Sequence, residues 1–401
     1  MKTILAFSGG LDTTYCAVYL SRIEKHELHA VIVNTGGFNV QEIENIRKHA
    51  ENLGVKSFTC LDERKNFYEK IIRYLIYGNV LKNNTYPLSV SAERIIQAMS
   101  IAEYANSMNA DAIAHGSTGA GNDQVRFDMA FQILAPTKKI ITPIRDQKLS
   151  REAEINFLKS HGVEMNFEKA AYSINQGLWG TSVGGRETLS SNKPLPESAW
   201  PIQLSKTEPE DLELEFVKGE LVAVNGKTIQ HPVDGINLLE QIAAPFAIGR
   251  DIHVGDTIIG IKGRVGFEAA APLIMLKAHH LLEKHVLTKW QLYWKDQIAA
   301  FYGNWLHEGQ FLDPVMRNME AFMSDMQKNV SGKVFISLLP YRFELNGIES
   351  PFDLMSSRFG SYGEMNNTWT GEDVKGFAKI FGNQVFIHRQ VTDAVNQDHD
   401  N

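Results

Sequence analysis

The 401-residue chain is 43% hydrophobic and 22% charged, which excludes a disordered chain, and its length calls for two domains with a tail. Forty basic residues against 47 acidic ones leave a net charge of −7, so there is no general pull toward nucleic acid or an anionic membrane. Cys16 and Cys60 cannot build a disulfide framework or a four-cysteine zinc site, and the longest apolar stretch, 269–275, is far below membrane-spanning length, so the expectation is a cytoplasmic protein.

In chain order, strands are predicted at 3–7, 30–34, 57–61, 112–115 and 139–143. Between them, Val18, Leu20 and Ile23, then Ile43, Ile46, Ala50 and Leu53, then Ile95, Met99, Ala102 and Ala105 recur at helical spacing. Strands alternating with helices give an α/β class: a doubly wound parallel-sheet, nucleotide-binding domain over 1–163. Ligands of such sheets bind beyond the carboxyl ends of the strands, which directs attention to the glycine-rich segments after Phe7, Asn34 and His115. Past Gly162 the alternation stops. Gly177, Gly180, Gly184, Gly185, Pro194, Pro196 and Pro201 predict a long irregular connection. An α+β domain over 164–362 follows, with period-two runs at 212–216 and 220–224 and a turn at Asn225-Gly226. Helices are expected at 238–243, 276–287 and 315–326, and strands at 257–262 and 333–338. In the remaining arm and tail, 363–401, Thr370-Gly-Glu-Asp373 is a capping box for a short helix through Val374, Phe377, Ala378 and Phe381, stopped by Gly382. So short a helix needs a partner surface.

Two segments carry chemistry. Ala6-Phe7-Ser8-Gly9-Gly10-Leu11-Asp12-Thr13-Thr14 joins the first strand to the first helix. Gly9 and Gly10 let backbone approach a ligand, the helix start offers free N–H groups, and Ser8, Thr13 and Thr14 add hydroxyls, a pattern suited to pyrophosphate. The same residues would also serve a plain glycine turn before a capped helix. It is neither the P-loop nor the dinucleotide fingerprint. The second segment, His115-Gly-Ser-Thr-Gly-Ala-Gly-Asn-Asp-Gln-Val-Arg-Phe127, gathers Thr118, Asn122, Asp123 and Arg126. Asp123 and Arg126 match the two charges of an amino acid, or pair with each other in a polar loop.

Together these motifs resemble the argininosuccinate synthase family of N-type ATP pyrophosphatases, and the match extends through nearly the whole chain. Tyr86-Pro-Leu-Ser-Val-Ser91-Ala-Glu-Arg94, Ser173 with Ser182, and Gly260-Ile-Lys262-Gly-Arg264 are similar to further family segments. The resemblance implies an AMP-forming ligase of arginine biosynthesis that condenses citrulline with aspartate through a citrullyl-adenylate, using ATP and Mg2+. It implies ATP at Ala6, Phe7, Ser8, Gly9, Gly10, Leu11, Asp12, Thr13, Thr14, Val33, His115 and Gly116. Aspartate is then expected at Thr118, Asn122 and Asp123, and citrulline at Tyr86, Ser91, Asn122, Arg126, Ser173 and Ser182. Asp12, Asp123 and Arg126 are the expected catalytic residues, and Asp12 is the one side chain placed near the metal. By the same resemblance the terminal arm makes a homotetramer.

The chain departs from the family at three places. Ala120 stands where the family usually has lysine, leaving Lys138, Lys139, Arg145 and Lys262 as candidate cations. Gly255 and Phe267 replace a citrulline-pocket glutamate and tyrosine, with Asp256 one residue away, and Asn175-Gln176-Gly177 replaces a more acidic run. These changes raise the alternatives of an N-acyl citrulline substrate, a silent nucleotide-binding paralogue, or another ATP pyrophosphatase of this fold. His279, His280 and His285 on a helical pattern do not make a metal site, since adjacent helical residues diverge by about 100°.

Overall fold

The computed structural model describes residues 1–165, 172–356, 362–364 and 368–399. The five early strands, β1 (Lys2–Ala6), β2 (Glu27–Asn34), β3 (Ser57–Asp62), β4 (Ala112–Ala114) and β5 (Lys139–Ile141), pair in parallel in the order β3-β2-β1-β4-β5. Successive side chains on a strand point to opposite faces, so strands apolar on both faces need helices on both. Ile4, Val31, Val33 and Ile113 pack on Ala98 and Ile101 of helix Ser89–Ser107 and on Phe131 of helix Asp123–Leu134. Leu5, Ala30, Ile32 and Phe58 pack on Tyr15 and Cys16 of helix Leu11–Val18 and on Leu158 of helix Arg151–Ser160. The expected doubly wound sheet is present. Its strand order reverses between the neighbours β1 and β4, which places Ser8 and His115 on either side of the switch-point crevice.

The later strands form two antiparallel sheets. β6 (Tyr172–Gly177) and β7 (Gly180–Gly185) join the later hairpin in the order β11-β12-β7-β6, where β11 is Arg250–Asp256 and β12 is Lys262–Glu268. β8 (Glu210–Val217), β9 (Glu220–Val224), β10 (Lys227–Thr228), β13 (Gly332–Leu339) and β14 (Arg342–Glu349) lie in the order β10-β9-β8-β13-β14. Leu214, Phe216, Val334 and Ile336 bury against Ile274 and Leu282 of helix Ala270–Val286 and Tyr302 of helix Lys289–His307. Phe67, Ile71 and Leu75, from helical segments between β3 and helix Ser89–Ser107, join the same core.

Three expectations are corrected. The segment read as irregular contains the β6–β7 hairpin. Its glycines serve close approach rather than looseness: a Cβ on Gly177 would lie 2.3 Å from Glu93 Oε2, and one on Gly180 2.8 Å from Ala269 Cβ. The strand expected at 257–262 is instead the turn between β11 and β12. Gly260 takes φ +84°, Thr257 N–H donates to Ile261 O, and Ile261 is exposed, so its apolar residues had imitated a strand. Thr370 caps helix Gly371–Phe381 as expected, accepting from Asp373 N–H, but Gly382 keeps φ −84° and a second helix, Asn383–His399, follows. Residues 1–352 form one compact unit and 353–401 another; of the arm, 365–367 and 400–401 lie outside the described residues. No described helix is long and apolar enough to cross a membrane.

Candidate active site

The turn after β1 braces itself. Ser8 Oγ and Thr13 Oγ1 lie 3.3 Å apart, Thr13 Oγ1 donates to Gly10 O at 3.2 Å, and Gly10 N–H donates to Ser8 Oγ at 3.4 Å. Of the two glycines, Gly9 meets the conformational demand, with φ +77° and room for a Cβ only at 3.3 Å from Ile46. Gly10 is the helix N-cap in ordinary extended geometry, φ −74°. The second glycine-rich segment crosses close above: a Cβ on Gly116 would be 3.2 Å from Asp12. His115 is buried, with Nε2 2.9 Å from Asp128 Oδ1, and Asp128 in turn accepts from Arg145 at 2.7 Å.

A cavity of about 640 Å³ lies over these segments. Among the expected residues, Ala6, Phe7, Ser8, Gly10, Leu11, Asp12, Thr13, Val33, His115, Gly116, Asp123 and Ser173 line it. Gly9 supports the turn from behind, and Thr14 is buried with its hydroxyl 2.9 Å from His49 Nε2. Thr118 is exposed on its loop, while Asn122 Oδ1 accepts from Ile258 N–H at 2.8 Å. Tyr86, Ser91, Arg126 and Ser182 are buried outside the cavity lining. Arg126 donates to His307 O at 3.0 and 2.8 Å and to Asp123 at 2.9 Å. Tyr86 stacks on His253 with ring centroids 5.0 Å apart. Ser182 pairs in register with Asn175 and Phe267.

The cavity also exposes residues to which sequence reasoning gave no role, Glu93 and Arg94 having stood only within the segment that ends at Arg94. Thr35, Glu93, Arg94, Gln97 and Arg151 line it. Arg94 bridges two acids, donating to Glu93 at 3.0 Å and Asp123 at 3.1 Å. Burial works against ionisation of Asp123, but Arg94 and Arg126 hold its carboxylate below the ordinary range. Burial raises Asp12, and burial together with the Asp12 charge pushes Glu154 up to about 8. Of the four cations proposed to replace the family lysine, Arg145 is committed to Asp128 and Lys262 to Asp256, and neither these nor Lys138 and Lys139 line the cavity; Arg151, which was not among them, does. The available signal was Glu93-Arg94 itself, two adjacent charges at the start of a helix whose following residues, Ile95 and Ile96, are buried.

Beyond Arg126, the side chains of Lys82, His253 and His307 lie within electrostatic reach of one another. Burial, then Arg126 and Lys82, push the His307 imidazole down to about 3; burial, then Lys82, lowers His253. Gly255 lies here, and a Cβ on it would be 2.5 Å from His253 Nε2. Asp256, one residue on, is exposed with its carboxylate on Lys262 at the end of the hairpin.

No group of three or more metal-ligating side chains occurs among the described residues. Mg2+ needs fewer, since it is commonly held by one or two carboxylates with substrate phosphates. Asp12, a hard oxygen donor beside the Ser8 and Thr13 hydroxyls, fits that pattern.

A doubly wound sheet with a glycine turn at its switch point defines a nucleotide-binding α/β protein, here joined to an antiparallel α+β domain. The model for the arginosuccinate synthase N-terminal HUP domain matches residues 2–164, and that for the arginosuccinate synthase C-terminal domain matches 172–388. Argininosuccinate synthase of Dictyoglomus thermophilum is 34% identical over 96% of this chain and 97% of its own. That of Methanocaldococcus jannaschii is 34% identical with the same coverage, and that of Xylella fastidiosa 33% identical over 97% of each. The chain belongs to the argininosuccinate synthase family.

Proposed function

We propose that this chain is an AMP-forming ligase that condenses citrulline with aspartate. The ureido oxygen attacks the α-phosphorus of ATP, pyrophosphate leaves, and the aspartate amine displaces AMP from the adenylate to give argininosuccinate. Family membership across almost the full length carries this reading, and the cavity supports it. Ser8, Gly10 and Thr13 present N–H and hydroxyl donors to a leaving pyrophosphate at a helix start, and Arg151 adds a cation. Asp12 would hold Mg2+, which when bound offsets phosphate charge. Asp123 and Arg126 receive the charged ends of the amino-acid substrates, and β6 closes the cavity with Ser173. Residues 1–163 bind ATP in this reading, 164–362 complete the substrate site, and 363–401 tie subunits into a homotetramer. The test is pyrophosphate and AMP release in the presence of ATP, Mg2+, aspartate and a ureido amino acid, with the product identified by mass. Release that does not depend on aspartate would point to another pyrophosphatase, and no release to a silent paralogue.

A second reading concerns the ureido substrate. Gly255 and Phe267 lack the carboxylate and hydroxyl expected around a free α-ammonium, the Asp256 carboxylate lies on Lys262, and burial, with Lys82 and Arg126 behind it, disfavours a positive charge on the neighbouring His253 and His307. A buried, unpaired ammonium costs several kcal/mol, roughly, so these residues favour an N-acyl citrulline, above all one whose acyl group ends in a carboxylate. Specificity constants for citrulline, N-acetylcitrulline and N-succinylcitrulline decide the matter; a preference for free citrulline refutes the acyl substrate.

A further inference from the structure

The ligase scheme leaves the cavity carboxylate of Glu93 without a task, while Glu42, also on the lining, serves a helix cap by accepting from Asn39 N–H. Glu93 lies on helix Ser89–Ser107, is only 2% exposed as a residue, and lines the same cavity as Ser8, Asp123 and Ser173. Its surroundings are shaped to it. Thr35 Oγ1 donates to Oε2 at 3.0 Å, and Arg94 Nη1 donates to Oε1 at 3.0 Å. Strand β6 passes at Gly177, where any Cβ would come within 2.3 Å of Oε2, so the strand yields its side-chain volume to this carboxylate.

The charged groups facing Glu93 are Arg94 on its own helix and Asp123 at the start of helix Asp123–Leu134, while β6 brings the neutral Ser173, Asn175 and Gln176 to the cavity. Burial outweighs the attraction of Arg94 and pushes the Glu93 carboxyl up to about 7. Asp123, held by two guanidinium groups, is by contrast too weak a base to take a proton near neutrality. Arg94 spans the two acids, so the carboxylate assigned to aspartate binding and Glu93 are one guanidinium apart.

We propose that Glu93 is the general base for the second half-reaction, taking one proton from the ammonium group of aspartate. This rests on the ligase reading above. The amine's freed electron pair forms the new C–N bond at the isourea carbon of the adenylate. The bond from that carbon to the bridging oxygen breaks, and its electron pair leaves on the AMP phosphate oxygen. The two protons that the amine retains stay in the guanidinium of the product, and Glu93 returns its own proton to solvent once the product leaves. Formation of the adenylate does not use Glu93.

The experiment separates the two halves in the full-length enzyme. The first is followed by ATP–pyrophosphate exchange dependent on the ureido substrate, the second by aspartate-dependent product formation. Glu93→Gln keeps the size of the side chain and an oxygen for Thr35. It is expected to retain exchange within about two-fold while ligation falls about 100-fold or more, and to lose the acid limb near pH 7 from the ligation profile. Wild-type exchange should lack that limb. Equal loss of both halves in Glu93→Gln assigns a structural role and overturns the proposal, as does undiminished ligation. If the variant does not fold, the wild-type profiles decide: coincident pH dependence for exchange and ligation overturns the assignment, and an acid limb confined to ligation supports it. Absence of aspartate-dependent AMP release in the wild type would instead refute the ligase reading itself.

Discussion

Gly37→Ala probes the seam where the nucleotide sheet meets β6. A Cβ at Gly37 would stand 2.1 Å from the carbonyl oxygen of Gln176, against an ordinary contact of 3.4 Å or more, so β6 would have to retreat by about 1.3 Å. The obstacle is paired backbone, which cannot swing aside as a long side chain does. Overpacking of this kind costs about 1–3 kcal/mol, equivalent in a chain of this size to a drop of roughly 1–4 °C in melting temperature. Because β6 also carries Ser173, Asn175 and Gln176 into the cavity, KM for the amino-acid substrates should rise more than KM for ATP. Gly10→Ala is the matched control: its φ is already ordinary and its Cβ would meet only Ser8 Oγ at 3.5 Å, so the fold should melt within about a degree of wild type. Thermal melting and steady-state kinetics on the two variants suffice. A Gly37→Ala enzyme with wild-type melting and unchanged KM values would show that the seam is not under this steric constraint.

Gly9→Ala forces a side chain into φ +77° and against Ile46, and should cost about 1–2 kcal/mol and weaken ATP binding, measured by melting and calorimetry. Ending the chain before Thr370 removes an apolar face bearing Val374, Phe377, Ile380 and Phe381, and is expected to lower the sedimenting mass; an unchanged mass refutes the arm's role in assembly. Glu268 is buried 3.9 Å from Arg250, and burial pushes its carboxyl up to about 7. The folded state therefore keeps this proton after the unfolded chain has lost its own, and stability falls as pH rises from about 4.5 to 7. Glu268→Gln should be more stable than wild type at pH 8 by about 1–2 kcal/mol, with the gain fading toward pH 5, as read by denaturant unfolding.

The parallel sheet was legible because its strands are apolar on both faces and its helices carry unbroken 3.6-residue periodicity, as at Ile95, Met99 and Ala102. The glycine segments were legible for a related reason: they follow strands whose order sets the switch point. What sequence concealed was context. Ile258, Ile259 and Ile261 look like a strand and form a turn, because Gly260 alone sets the direction of the chain. The glycines of β6 and β7 look like a loop, and their function appears only when Glu93 and Ala269 are seen to occupy the space a Cβ would take. Glu93 and Arg151 were hidden because the importance of a charge depends on what the fold wraps around it, and neither sits in a glycine motif. Arg126 and Tyr86 were picked out by their motifs, but the residues that hold them, His307 and His253, are distant in sequence and carried no signal.

The single hydrogen bond from Ile258 N–H to Asn122 Oδ1 has a consequence for how this site can change over generations. It fastens the tip of the β11–β12 hairpin to the loop that begins at His115, so the two segments inherit each other's geometry. A lineage that lengthens or retypes the hairpin to suit a new substrate also shifts the loop beside the nucleotide, unless a second substitution near residue 122 accompanies it. Hairpin exchanges between relatives should therefore succeed as paired transfers and fail singly, and the substrate range of such enzymes should shift in jumps rather than by gradual drift.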